Sequence, residues 1–126
     1  MSPAPARKIK TNEENSPKLN KKDLRRRRSV VITERAKILK PLEQRIAQVE
    51  KDIAAHEEDL NKLNREMREA LQNHNGKRIV ELSQSIHACQ DAIEHLFGDL
   101  EKLTTTFEAQ RMLFQEKLEP IEGEAT

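Results

Sequence analysis

The strongest chemical signal in this sequence is a run of basic side chains before residue 41. Four consecutive arginines stand at its centre. Arginine binds phosphate through paired hydrogen bonds and stays protonated. Consecutive residues of a helix point in different directions, so four such residues would follow a phosphate backbone rather than read base edges. The candidate polyanion-binding residues are Lys18, Lys21, Lys22, Arg25, Arg26, Arg27, Arg28, Arg35, Lys37 and Lys40.

The charge distribution supports a nucleic-acid partner for this basic segment. Residues 1–40 hold 13 Lys and Arg against 4 Asp and Glu, whereas the remaining 86 residues hold 10 against 18. The segment has no aromatic residue on which unpaired bases could stack, which disfavours sequence-selective binding of single strands. Two alternatives stay open: a solvated charge run that only interacts with the acidic part of the chain, and an anionic membrane surface.

No catalytic, nucleotide-binding or metal-binding constellation is visible elsewhere. Gly76, Gly98 and Gly123 are too far apart to form a phosphate-binding loop. The four histidines lack the clustered spacing of zinc ligands, and Cys89 stands alone. We therefore expect no catalytic residue, no metal and no cofactor in this chain, and structural roles for the histidines and the cysteine.

Composition favours an all-α protein. Charged residues make up 36% of the chain and aromatic residues 2%, with three glycines in 126 residues. An aromatic core or a β fold with many tight turns is therefore excluded. No stretch is long and apolar enough to span a membrane, and a single cysteine suits a reducing compartment. We expect a cytoplasmic protein.

Two apolar seams define the helices. The first takes alternating steps of three and four residues from Leu39 to Leu71, and the second does the same from Ile79 to Phe107 and less regularly to Leu118. Such spacing is typical of coiled coils. It predicts one helix over about 42–73 and another over about 77–118.

The two seams match as an antiparallel pair. In such a pair the positions that face each other have a constant sum. Met67 with Leu82, Leu42 with Phe107, and every pair between them that both seams define, add to 149. A connection of about four residues also makes consecutive helices neighbours. A parallel dimer of one unbroken helix is the alternative that this symmetry disfavours. We expect a monomeric hairpin whose register leaves Phe114 to pack against the basic segment.

The remaining boundaries follow from local signals. Residues 1–20 are too polar and proline-rich to bury a core, which predicts a disordered linker. A short basic helix over about 21–39 should begin near Asn20 and end before Pro41. Asn or Gly within 73–76 should adopt the left-handed conformation that closes the first long helix. Pro120 should end the second, which leaves a frayed tail at 120–126. The hairpin domain then covers 21–119.

The order of these features resembles the C-terminal domain of ABC-F ATPases, in particular the Uup-type branch. The shared features are the sequence KKDLRRRR at 21–28, the sequence LKPL at 39–42, and the sequences GKRI at 76–79 and EL at 81–82, within a match over about 20–103. In that family a basic stretch follows the second ATP-binding cassette, a proline interrupts entry into the hairpin, and two antiparallel helices form an arm.

The resemblance implies a function and a parent protein. Family members lack membrane domains and act on ribosomes or in DNA-related processes. The chain would be a non-catalytic arm that binds DNA or ribosomal RNA, with residues 21, 22 and 25–28 as the polyanion contacts. ATP and Mg²⁺ would belong to cassettes upstream in the same polypeptide. The alternative is a protein–protein interaction coiled coil with an incidental basic linker.

Overall fold

The computed structural model describes the backbone of residues 16–125 and the side chains of residues 21–121. It contains two helices, α1 (Ser16–Gln72) and α2 (Gly76–Ala125), and no strand within that range. The helices pack against each other as an antiparallel hairpin. The predicted all-α coiled-coil hairpin is therefore confirmed. Residues 40–108 form one compact unit, and the described residues before 40 and after 108 form another.

In the unit 40–108, the predicted seams form the core. Leu82 is only 1% exposed, and Ile53, Ala70 and Leu103 are also buried. Every other predicted seam position of this unit except Leu71 is half-buried, while most residues between them are exposed. Arg78 of α2 reaches Glu66 of α1 at 3.6 Å, which adds an exposed ion pair across the two helices. The residues that pack in this unit are therefore those of the predicted seams.

The connection between the helices is a Schellman turn. His74 has φ 52°, in the left-handed region. Its N–H donates to the Leu71 carbonyl at 3.2 Å, and the Asn75 N–H donates to the Ala70 carbonyl at 3.0 Å. Asn75 also begins α2, because its side-chain oxygen accepts a hydrogen bond from the Arg78 N–H at 3.2 Å. One asparagine thus caps the second helix while it closes the first.

The expectation that Asn or Gly supplies the left-handed residue is wrong. His74 supplies it, and neither Gly76 nor Gly98 has positive φ. Histidine adopts this conformation less easily than glycine but is several-fold enriched there among other residues. The hydrogen bonds of the turn require the left-handed conformation at position 74. His74 therefore adopts it because of its position in the turn, not because of its residue type.

The second unit joins the N-terminal part of α1 to the C-terminal part of α2. Among its side chains that the structure describes, the buried ones are Leu24, Leu39, Phe114 and Ile121. Phe114 is 5% exposed and lies in the same unit as the basic segment, in agreement with the prediction that it packs there. The ammonium of Lys117 lies 5.1 Å from the centre of the Phe114 ring, within the range of a cation–π contact.

The predicted helix boundaries need correction. The break before Pro41 is absent, and α1 runs through it. Proline removes the hydrogen bond to the Lys37 carbonyl, but Lys37 and Pro41 are both exposed, so water can bond that carbonyl instead. Burial of Leu39 and half-burial of Leu42 hold the helix on both sides of the proline.

Both helices also extend beyond their predicted ends. α1 begins at Ser16 rather than near Asn20, because Pro17 falls in the first turn, where its missing N–H has no intrahelical partner. α2 continues through Pro120 to Ala125, and Ile121 adds a buried contact after the proline. The predicted linker over 1–20 is thus helical from Ser16. Its earlier part lies outside the described residues.

Candidate nucleic-acid interface

α1 positions most of the basic residues on the unit formed by 16–39 and 109–125. Lys21, Lys22, the arginines at 25–28, Arg35 and Lys37 are all exposed there. Lys40 is exposed as well but belongs to the unit 40–108. Lys18 lies within α1, and its side chain is outside the described range. Nine of the ten candidate residues therefore lie in one unit, and the eight of them whose side chains are described are exposed.

The direction of each side chain follows from its place on the helix. Buried Leu24 and Leu39 define the side of α1 that faces α2. Residues three or four positions apart share a helix face, and one exposed row of this kind, hereafter the outer row, contains Lys22, Arg26, Ser29, Thr33 and Lys37. The row extends over 15 steps from Lys22 to Lys37, about 22 Å at 1.5 Å per step. It presents three cations with two hydroxyl side chains between them.

Only two acidic residues, Asp23 and Glu34, lie on the described part of α1 before residue 40. Arg27 forms an ion pair with Asp23 at 2.9 Å, one helical turn away. Both side chains are at least half exposed, so the pair contributes little to stability and is screened by salt. A polyanion could therefore compete with Asp23 for Arg27.

A shallow groove of about 440 Å³ lies in the same unit. Val30, Val31 and Ile121 supply its apolar surface, and it is also lined by Asp23, Arg26, Arg27 and Lys117. Val30 is 53% exposed although it is apolar. Lys117 thus joins two candidate arginines at one groove, although it stands about 90 positions later in the chain.

Sequence reasoning missed Lys117. The antiparallel register contained the signal, because position 117 pairs with position 32 at the same constant sum of 149. Continuing the register beyond Phe114 would have added this lysine to the candidate surface.

Other titratable groups serve local roles. His87 and His95 lie 3.6 Å and 3.9 Å from Asp91 and Asp99, each one turn further along α2 and exposed. The Nδ1 atom of His56 lies 2.9 Å from the Asp52 carbonyl oxygen. No group of three or more His, Cys, Asp or Glu side chains that could hold a metal ion occurs in the part of the chain that the structure describes.

Comparison of the chain with protein-family models, with curated proteins and with solved structures gives no match. Neither α1 nor α2 contains, within its described residues, a stretch long and apolar enough to cross a membrane. The exposed basic residues of the unit formed by 16–39 and 109–125 are therefore the structural feature that bears most directly on function.

Proposed function

We propose that this chain is a non-catalytic, nucleic-acid-binding helical arm that contacts phosphates through the basic part of α1. The observation that carries the proposal is the outer row, where Lys22, Arg26 and Lys37 are exposed along about 22 Å of helix. Phosphate contacts are the main source of affinity for nucleic acid without sequence preference.

The character of the surface supports backbone binding rather than base reading. Arginine and lysine dominate it, and the hydroxyl group of Ser29 can add a phosphate hydrogen bond. Phe114, the aromatic residue of this unit, is buried and so cannot stack on an unpaired base. DNA and ribosomal RNA both satisfy this chemistry.

A salt titration tests the proposal. Binding of the whole chain to a labelled DNA duplex and to a labelled RNA duplex is measured by fluorescence anisotropy at several KCl concentrations. If about five phosphates are neutralised on DNA, log affinity falls with log salt at a slope of about −4.5. Replacing Lys22, Arg26 and Lys37 with Gln should reduce the magnitude of that slope by about 2.7.

A matched variant controls for net charge. Replacing Lys51, Lys62 and Arg68 with Gln removes the same charge from exposed positions in the unit 40–108. That variant should keep most of the slope. Equal losses in the two variants, or an affinity that does not depend on salt, would contradict a site on the outer row.

A protein–protein interaction coiled coil is the second candidate. It is favoured by exposed apolar side chains on the unit 40–108, where Leu71, Val80 and Phe97 are each about half exposed. Replacing these three with Ser would abolish partner binding under this alternative and leave nucleic-acid binding unchanged under the first.

We further propose that the parent protein is an ABC-F-type ATPase in the cytoplasm and that the arm is monomeric. The resemblance at 21–28, 39–42 and 76–82 supports the parentage, and the packing of both seams within one chain supports the monomer. The coding sequence upstream of Met1 tests the parentage, since two ATP-binding cassettes should precede Met1 in an ABC-F protein. Sedimentation equilibrium tests whether the arm is monomeric.

A further inference from the structure

Ser29 follows the arginine run directly, in a sequence suited to phosphorylation. Arg26 and Arg27 stand three and two positions before it, and Val30 stands one position after it. A protein kinase with carboxylates in its peptide groove would bind Arg26 and Arg27, because guanidinium groups form paired hydrogen bonds with carboxylates. An apolar pocket beyond the acceptor would bind Val30. Ser29 is exposed and Val30 is 53% exposed, so the surface presents the required groups.

A kinase binds its acceptor segment in an extended conformation, so this part of α1 must open locally. Three features lower the cost of opening. Lys22 and Arg26 are like charges four residues apart, a spacing that destabilises a helix. Val30, Val31 and Ile32 are β-branched and have low helix propensity.

The third feature involves Ser29 itself. The Thr33 hydroxyl donates a hydrogen bond to the Ser29 carbonyl at 2.9 Å, so it competes with the backbone N–H for that acceptor.

We propose that Ser29 is a phosphoacceptor for an arginine-directed Ser/Thr kinase that uses ATP, and that its phosphorylation switches off the outer row. The Ser29 Oγ attacks the γ-phosphorus of ATP while its proton passes to a carboxylate of the kinase. The bond from the γ-phosphorus to the oxygen that bridges to the β-phosphate breaks, and ADP leaves. The products are phosphoserine and ADP.

The expected effect of phosphorylation on nucleic-acid binding rests on the proposed function, whereas the assignment of Ser29 as a phosphoacceptor does not. Phosphoserine carries about −1.5 to −2 charges at neutral pH. Arg25 and Arg26 lie four and three residues before Ser29, on the adjacent turn, so their guanidinium groups can pair with the new phosphate. Loss of two cationic contacts reduces the salt slope by about 1.8, which corresponds to a loss of affinity of roughly 60-fold at 0.1 M salt.

The experiment treats the whole chain with such a kinase and ATP and locates phosphate by mass spectrometry. We expect phosphate on Ser29, none at this site in Ser29→Ala, and strongly reduced incorporation when Arg26 and Arg27 are replaced with Gln. A peptide of residues 22–34 serves as the unfolded control. Phosphorylation of the peptide but not of the chain would overturn the proposal because the helix then protects Ser29, and failure of both would overturn it because the sequence is not recognised.

Binding of the phosphorylated chain to the labelled duplex then tests the switch. A roughly 60-fold weaker affinity and a smaller salt slope support it. Unchanged affinity in a chain phosphorylated on Ser29 would overturn the switch while leaving the proposed function intact. Absence of duplex binding before treatment would overturn both the proposed function and the switch, but not the phosphoacceptor assignment.

Discussion

The Cys89 thiol lies 3.1 Å from the backbone carbonyl oxygen of His56, although the two residues are 33 positions apart in the chain. Cys89 donates the hydrogen bond from α2 and His56 accepts it on α1. The contact lies in the unit 40–108, one turn from the position at which the register pairs Cys89 with Leu60. A sulfur–hydrogen donor is weak, but its geometry records how the helices are aligned.

This contact predicts slow modification of Cys89. A thiol reagent should label the native chain much more slowly than the urea-unfolded chain, because Cys89 is half-buried and its S–H is bonded across the hairpin. The control is a double variant, Cys89→Ala with Val80→Cys, because Val80 is 57% exposed. Mass spectrometry follows both reactions. Equally fast labelling of the two native proteins would contradict the placement of Cys89 in the seam.

The turn predicts that His74→Gly stabilises the hairpin. A residue other than glycine in the left-handed region costs roughly 1–2 kcal/mol, so relief of this cost should raise the free energy of unfolding by about 1 kcal/mol. Denaturation in urea, followed by circular dichroism, measures the change. His74→Ala is the matched control and should give no such gain, since alanine also has a Cβ atom. A similar gain from both variants would mean that the His74 imidazole, rather than its backbone, is unfavourable.

The seam was predictable because a period of three and four residues is a local property of the sequence. The seams also correctly predicted that Phe114 is buried, because the positions that face each other in an antiparallel pair have a constant sum. The continuation of α1 through Pro41 was not predictable from the same signals, since it depends on whether burial of Leu39 and neighbouring seam residues outweighs a lost hydrogen bond. The residue that takes the left-handed conformation depends likewise on which carbonyls the turn must satisfy, and Asn73, His74, Asn75 and Gly76 all lay within the predicted range.

The burial pattern predicts that truncating two nearby side chains of α2 changes the free energy of unfolding by very different amounts. Leu82→Ala should lower the free energy of unfolding by about 2–3 kcal/mol, because a 1% exposed side chain leaves a cavity when truncated. Val80→Ala, at a position more than half exposed, should change it by no more than about 0.5 kcal/mol. Urea denaturation of the two variants compares them directly. Equal effects would show that Leu82 does not face α1.

Gly98 predicts a simple stabilisation. It lies inside α2 without positive φ, and a Cβ atom placed there would meet nothing within 4 Å beyond its chain neighbours and the adjacent backbone of its own helix. Gly98→Ala should therefore raise the free energy of unfolding by about 1 kcal/mol through helix propensity. The reciprocal change at an exposed position of the same helix, Ala88→Gly, should lower it by a similar amount. Thermal unfolding monitored by circular dichroism checks both, and a destabilised Gly98→Ala variant would contradict the open space beside this glycine.

Lys117 provides the sharpest test of whether the basic surface includes α2. If its ammonium contacts a phosphate beside Arg26 and Arg27, Lys117→Gln should reduce the magnitude of the salt slope for duplex binding by about 0.9. Lys102→Gln removes the same charge from an exposed position of α2 in the unit 40–108 and should leave the slope unchanged. Because Lys117 also contacts the Phe114 ring, its loss should cost about 0.5–1 kcal/mol of stability, so binding is measured well below the unfolding temperature of each variant. A slope unaffected by Lys117→Gln would confine the nucleic-acid interface to α1.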